Sequence, residues 1–161
     1  MLTVRNLTLI AGMLAGMLAV FACSSDDAPT PDASQHELGR VKTATEKYHD
    51  IEQAKADGYA DINLIVPNMG AHFLNASLLD EKFEVDKPEI LVYAPAGDGK
   101  FILTAVEYAV PVDMAHHTPE GFSGKDDVWV VNTDFDLWVL HAWIWYENPD
   151  GMFNATNPRV P

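Results

Sequence analysis

Glu107 and His141 are ionisable residues set in segments that are otherwise strongly apolar. Glu107 is the one charged residue within residues 101–110, and His141 lies in the aromatic-rich residues 135–146. Burial of a carboxylate is costly unless it is paired, protonated or bound to a metal ion. Glu107 therefore needs a partner, and we predict that His141 on a companion strand provides it.

His72 follows the turn at Met69-Gly70 and would complete a set of two histidines and one carboxylate. Such sets bind Fe(II), Zn or Mn and leave coordination positions open. No local spacing motif joins His72, Glu107 and His141, since they come from separate segments. Two hypotheses stay open: a site for a divalent transition metal, or a buried Glu107–His141 pair with His72 in a loop.

A second pair of histidines, His116 and His117, lies in a predicted loop beside Asp113 and Glu120. Histidines next to acids can bind a metal ion, but adjacent histidines in a loop usually face water. We keep the pair as second-rank candidates, because one of them could close over a site built on His141.

Aromatic residues around these segments predict the walls of a ligand pocket. Strand alternation puts Trp143 and Trp145 on the face of His141, with Trp138 on the opposite face. The predicted wall residues are Tyr108, Trp138, Trp143 and Trp145. Tryptophans in a small domain also commonly form its core, which is the alternative.

The elements that must position these residues are one helix and several strands. Apolar residues recur at three- and four-residue steps from Asp32 or Ser34 to about Asp57, and Gly58 is the expected stop. Strand patterns cover residues 61–66, 89–94, 101–110, 128–131 and 135–146. The expected class is α+β, with one long N-terminal helix packed on an antiparallel sheet of four to five strands.

The N-terminal residues have the pattern of a secretory signal. Arg5 precedes the uncharged residues 7–22, a stretch shorter than the roughly 18–20 apolar residues of a membrane span. Val20-Phe21-Ala22-Cys23 resembles the lipobox of bacterial lipoproteins. The resemblance implies a signal peptide over residues 1–22 and a lipid on Cys23.

A lipid on Cys23 would anchor the chain to a membrane of the bacterial cell envelope. Ser24, in place of an Asp after the cysteine, favours the outer membrane if the organism is Gram-negative. Residues 23–34 are polar and Pro-rich and predict a flexible tether. Residues 35–161 then form a single domain. The alternative is an ordinary secreted protein in which Cys23 has no role.

The net charge argues against nucleic acid as a partner. Ten Lys and Arg stand against 24 Asp and Glu, which gives a net charge of −14. Nothing in this balance could neutralise a row of phosphates, so nucleic acid is excluded as a default partner. The single cysteine excludes a disulfide framework.

Residues 145–153, continuing to residue 160, and the Met69-Gly70-x-His72 stretch resemble small secreted bacterial proteins that have no established activity. The resemblance covers about residues 44–161 and implies no activity for this chain. No nucleophile elbow, phosphate loop or dinucleotide fingerprint is present in the sequence.

Three functional hypotheses follow. The first is a lipid-anchored envelope protein with an aromatic-lined pocket that binds a small ligand or a metal ion. The second is a metal-dependent enzyme that uses His72, Glu107 and His141 as ligands of the metal ion and a bound water as the nucleophile. The third is a structural envelope lipoprotein without a ligand. Whether the protein is an enzyme stays open at this point.

Overall fold

The computed structural model of the chain describes residues 31–124 and 126–161. The predicted signal peptide, the predicted lipidation site at Cys23 and most of the predicted tether lie outside these residues. Helix α1 already begins at Pro31, four residues before the predicted start of the domain.

The helical region consists of two α-helices and a short 3-10 segment. Helix α1 spans Pro31–Thr45, the 3-10 segment Glu46–His49, and helix α2 Ile51–Ala56. The break falls at Asp50, which has an extended backbone and caps α2 by accepting a hydrogen bond from the Glu52 amide at 3.0 Å. The prediction of one uninterrupted helix was wrong, because Asp side chains favour this N-cap position over a helix interior.

The sheet has six strands, one more than the upper end of our prediction. They are β1 (Ala60–Val66), β2 (Gly70–Leu74), β3 (Ile90–Pro95), β4 (Phe101–Pro111), β5 (Val130–Asn132) and β6 (Leu137–Ala142). All neighbours pair antiparallel in the order β1-β2-β3-β4-β6-β5. The α+β class with an antiparallel sheet is confirmed. The strand that the sequence pattern missed is β2, which is nearly all buried and so shows no alternation of polar and apolar residues.

The helical region packs on one face of the sheet. The Tyr93 hydroxyl on β3 donates a hydrogen bond to the Tyr48 carbonyl at 2.7 Å. Val41 and Tyr48 join a buried cluster with residues of β2, β3, β4 and β6. This packing leaves the opposite face of the sheet free of α1 and α2.

A bulge in β4 decides which residues face the helices. Val92 pairs with Ala105 but Tyr93 pairs with Leu103, so Thr104 is an extra residue in β4. Strict alternation from Glu107 would put Leu103 on the same face. The bulge instead turns Leu103 towards the helices and keeps Glu107 on the free face.

The segment after β6 runs back over the free face. The Trp143 amide donates to the Met152 carbonyl at 2.9 Å, and the Asn157 amide donates to the Asn68 carbonyl at 2.7 Å. Val160 is buried in the cluster on this face. Within residues 31–124 and 126–161, no helix combines the length and the hydropathy needed to cross a membrane.

Candidate functional site

Three strands bring His72, Glu107 and His141 together on the face away from the helices. Glu107 on β4 lies directly opposite His141 on β6 in the strand register. His72 lies on β2, and β3 separates β2 from β4. Neighbouring strands lie about 4.8 Å apart, so the backbones of β2 and β4 are roughly 10 Å apart. The side chains of His72 and Glu107 can therefore meet only if they lean across β3. The three side chains do meet, and each residue is only 3–4% exposed.

The spacing of the three groups suits an ion between them. His72 Nε2 lies 3.6 Å from Glu107 Oε2, and His141 Nδ1 lies 3.5 Å from Glu107 Oε1. One potential ligand atom from each residue lies within 4.8 Å of the other two. Typical N–H···O hydrogen bonds are about 2.7–3.2 Å long, so both contacts are too wide for good ones. Two ligands at about 2.1 Å from a tetrahedral ion lie about 3.4 Å apart, close to each of the two histidine–carboxylate distances, which involve different oxygens of Glu107.

The imidazole of His72 is oriented by a main-chain carbonyl. Its Nδ1 lies 3.2 Å from the Leu64 carbonyl oxygen on β1. The pairing of β1 with β2 skips from Asp61 to Ile65, so residues 62–64 bulge out opposite His72. The bulge leaves the Leu64 carbonyl free to accept the Nδ1–H. The Nε2 lone pair then faces Glu107, as in a histidine prepared for a metal ion.

His141 is held in a dry position. Its ring lies nearly parallel to that of Trp143, with ring centroids 6.2 Å apart. Its Nε2 is buried and has no hydrogen-bond partner among the residues that the structure describes. Burial lowers the pKa of His141 to about 4, so the imidazole is neutral near pH 7. Metal ions bind the neutral form.

Burial raises the pKa of Glu107, whereas it lowers that of His141. Loss of hydration raises the pKa of this carboxyl to about 7, while the nearby His72 opposes the shift. In the metal-free protein the proton on Glu107 is therefore held only weakly near neutral pH. A divalent cation at the cluster would favour the carboxylate and displace that proton.

The cluster forms part of the lining of an apolar cavity of about 280 Å³. The sheet curls so that strands from its two ends, β1 and β5, line the same cavity. Aliphatic side chains make most of the wall, and among them are Ile62, Leu64, Val66, Ile90, Val130 and Val139. Among the described lining residues, the polar ones are Asn132 and the three members of the cluster. An apolar pocket with a few convergent polar groups is the usual form of a ligand site.

The predicted aromatic wall is wrong for this cavity, because none of its four residues lines the part that the structure describes. Tyr108 faces the helices and donates a hydrogen bond to the Val85 carbonyl at 2.8 Å. Trp138 donates through Nε1 to the Ala115 carbonyl at 3.1 Å. The aromatic side chain in the cavity wall, apart from the two imidazoles, is Phe135.

Trp143 and Trp145 are not part of the cavity wall, contrary to the prediction, because β6 ends at Ala142. Trp143 is buried beneath the cavity and donates to the Asn154 carbonyl at 2.6 Å. Trp145 lies on the helix side and donates to Thr45 Oγ1 at 3.1 Å. The period-two pattern predicted one strand through residue 146, but a bend after residue 142 separates these side chains.

The second-rank histidines lie away from the cluster. His116 and His117 are both exposed in the loop after β4. In the described ranges, His72, Glu107 and His141 form the one group of three or more potential ligands close enough to share an ion.

Glu89 is a buried carboxyl that the sequence analysis did not single out. Its Oε2 accepts a hydrogen bond from the Ala109 amide at 2.9 Å. Burial raises the pKa of Glu89 to about 8. The available signal was an acid placed directly before the apolar residues 90–94.

Comparison of the chain with protein-family models, with curated proteins and with solved structures finds no match.

Proposed function

We propose that this protein binds a divalent transition metal ion through His72, Glu107 and His141, at the base of a cavity that receives a small ligand. One observation carries the proposal: three buried metal-ligating side chains from three different strands converge on one apolar cavity. Two imidazoles and one carboxylate suit zinc, iron(II) or manganese.

The alternative of a purely structural Glu107–His141 pair accounts for less of this geometry. It would leave Glu107 without a short hydrogen bond to either histidine, since both contacts are 3.5 Å or longer. It would also not explain why His72 is buried and has its Nε2 oriented towards the carboxylate. A bound ion gives each of the three groups a partner.

Metal content of the full chain, purified in detergent without a histidine tag or chelator, tests the proposal. We expect about one equivalent of a transition metal by elemental mass spectrometry, or uptake of one equivalent of added zinc. Glu107→Gln and His141→Gln should each lose the ion, because one of three ligands is removed.

Two variants serve as matched controls. Glu89→Gln also removes a buried carboxyl, and His116→Gln removes an exposed histidine, yet neither touches the cluster. Both should keep the metal. A wild-type protein that neither contains nor takes up zinc, iron or manganese would contradict the proposal, and the pair would then be structural.

An enzyme is the second candidate, and a specific feature favours it. Three protein ligands leave at least one coordination position for water or substrate, and the cavity lies against the cluster. In this case activity on a small apolar substrate should disappear in Glu107→Gln but persist in Glu89→Gln. A binding protein should retain its ligand unchanged after hours of incubation with the metal-loaded chain.

We also propose that the chain is attached to a bacterial cell envelope through a lipid on Cys23, in the outer membrane if the organism is Gram-negative. The lipobox-type sequence Val20-Phe21-Ala22-Cys23 and the polar segment after it support this proposal. Labelling of the expressed protein with a fatty acid tests it. Label should enter the wild-type chain and be absent from Cys23→Ser, whereas equal labelling of both would contradict it.

A further inference from the structure

We propose that the small ligand is a carboxylic acid, bound as its carboxylate to the metal ion with its hydrocarbon body in the cavity. This inference rests on the metal site proposed above and identifies the ligand class of that site. It follows from the charge of the loaded cluster, the chemistry of the walls and the size of the space.

Charge selects an anionic head group. A divalent ion held by Glu107 and two neutral imidazoles leaves one uncompensated positive charge. Among the described residues, the cavity wall offers no second carboxylate to neutralise it. An isolated charge in a dry, apolar site is costly, so the open position favours an anion over a neutral molecule.

The walls select an apolar body and limit its size. Beyond the cluster, the described wall is aliphatic except for Met69, Phe135 and the amide of Asn132. A volume of about 280 Å³ corresponds to roughly nine non-hydrogen atoms, if each occupies about the 30 Å³ of a water in the liquid. A chain of about six to eight carbons with one carboxylate fills this space.

The same geometry predicts that the ligand needs the metal. No lysine or arginine of the described residues lines the cavity, so without the ion no permanently positive side chain faces a carboxylate there. Metal-free protein should therefore bind hexanoate far more weakly than zinc-loaded protein.

Calorimetry on the full chain in detergent, with zinc bound or removed, tests the inference. We expect hexanoate to bind zinc-loaded protein at least tenfold more tightly than it binds metal-free protein. Hexan-1-ol, which matches hexanoate in length but carries no charge, should show no such dependence on zinc. From butanoate to hexanoate the affinity should rise about fourfold per methylene. The rise should stop at about nine non-hydrogen atoms.

A pair of neighbouring substitutions separates the cavity from the metal site. Val130 lines the cavity and is 44% exposed, whereas Val131 does not line it and is 39% exposed. Val130→Trp should keep zinc but lose the gain in affinity with chain length. Val131→Trp should behave as wild type in both measurements.

The other possible outcomes show which of the two proposals, the metal site or its carboxylate ligand, is wrong. Zinc binding without a preference for hexanoate over hexan-1-ol would overturn this inference and leave the metal site standing. Hexanoate binding that is independent of zinc would overturn the inference as stated. Failure to bind zinc at all would contradict both proposals.

Discussion

Glu89 and Glu107 show how two buried carboxyls of one sheet differ at the level of single residues. Glu107 faces two imidazoles and the cavity, whereas Glu89 accepts a hydrogen bond from the Ala109 main chain. Burial raises the pKa of both groups. Within the described ranges Glu107 belongs to a group of three potential metal ligands and Glu89 belongs to none, so only Glu107 is expected to act in binding.

Glu89 should make the stability of the protein depend on pH. Its pKa is about 8 in the folded protein against an ordinary value of 4.5. Between these values the folded state holds more protons than the unfolded state, so the free energy of unfolding falls as pH rises. The slope from one such group is at most about 1.4 kcal/mol per pH unit.

Glu89→Gln removes this group while keeping its shape and an acceptor for the Ala109 amide. We expect the variant to be more stable than wild type at pH 8 and about equally stable at pH 4, where Glu89 is mostly protonated in both states, by urea denaturation. Glu81→Gln, an exposed position, should follow wild type at both values. A difference between Glu89→Gln and wild type that does not change with pH would argue against this account.

At the level of the elements, the bulge in β1 is the part of the fold that prepares His72. Residues 62–64 have no regular partner on β2, and Asn63 has a left-handed backbone with φ of 56°. Asn tolerates that conformation better than most residues. The irregularity is what frees the Leu64 carbonyl for the imidazole.

Deletion of Ile62 and Asn63 together should regularise the pairing of β1 with β2. The deletion preserves the alternation of faces because it removes two residues. Without the free carbonyl, His72 loses its orientation, and we expect the affinity for zinc to fall about 10- to 100-fold. Titration of zinc into both proteins measures this loss.

Asn63→Gly is the control for the deletion. It keeps the chain length and allows the left-handed backbone, so it should bind zinc within a few-fold of wild type. Unchanged zinc affinity in the deletion variant would mean that the Leu64 carbonyl does not position His72.

The cross-strand pair could be predicted from sequence because a lone charge in an apolar run needs a partner. The pattern identified the strands of Glu107 and His141, and the register places the two residues opposite each other. The bulges at Thr104 and at residues 62–64 could not be predicted, since they depend on contacts between strands. For the same reason Trp143 and Trp145 were misplaced, because alternation holds only while a strand stays regular and β6 ends at Ala142.

The whole molecule carries a net charge of −14, which acts at longer range than any contact in the site. Such a field attracts cations and repels anions. For the proposed metal site we therefore expect a metal ion to reach the cavity readily and an anionic ligand to be retained only after the ion is bound.

Salt should therefore change the two association rates in opposite directions. The Debye length shortens from about 30 Å at 0.01 M salt to about 8 Å at 0.15 M. Over this range we expect zinc to associate more slowly and hexanoate to associate faster with zinc-loaded protein. Dissociation rates should change little, because the site is buried. Stopped-flow fluorescence can follow both processes, and equal salt effects on the two would contradict the argument.

The three proposed ligands belong to β2, β4 and β6, which are distant in sequence, and their side chains meet only in the finished sheet. An unfolded or half-folded chain therefore offers no high-affinity site, and the ion would join after the strands have paired. A late ligand contributes little to the transition state for folding, so it slows unfolding more than it speeds folding. The bound metal would therefore lengthen the lifetime of the native fold and leave its folding rate little changed.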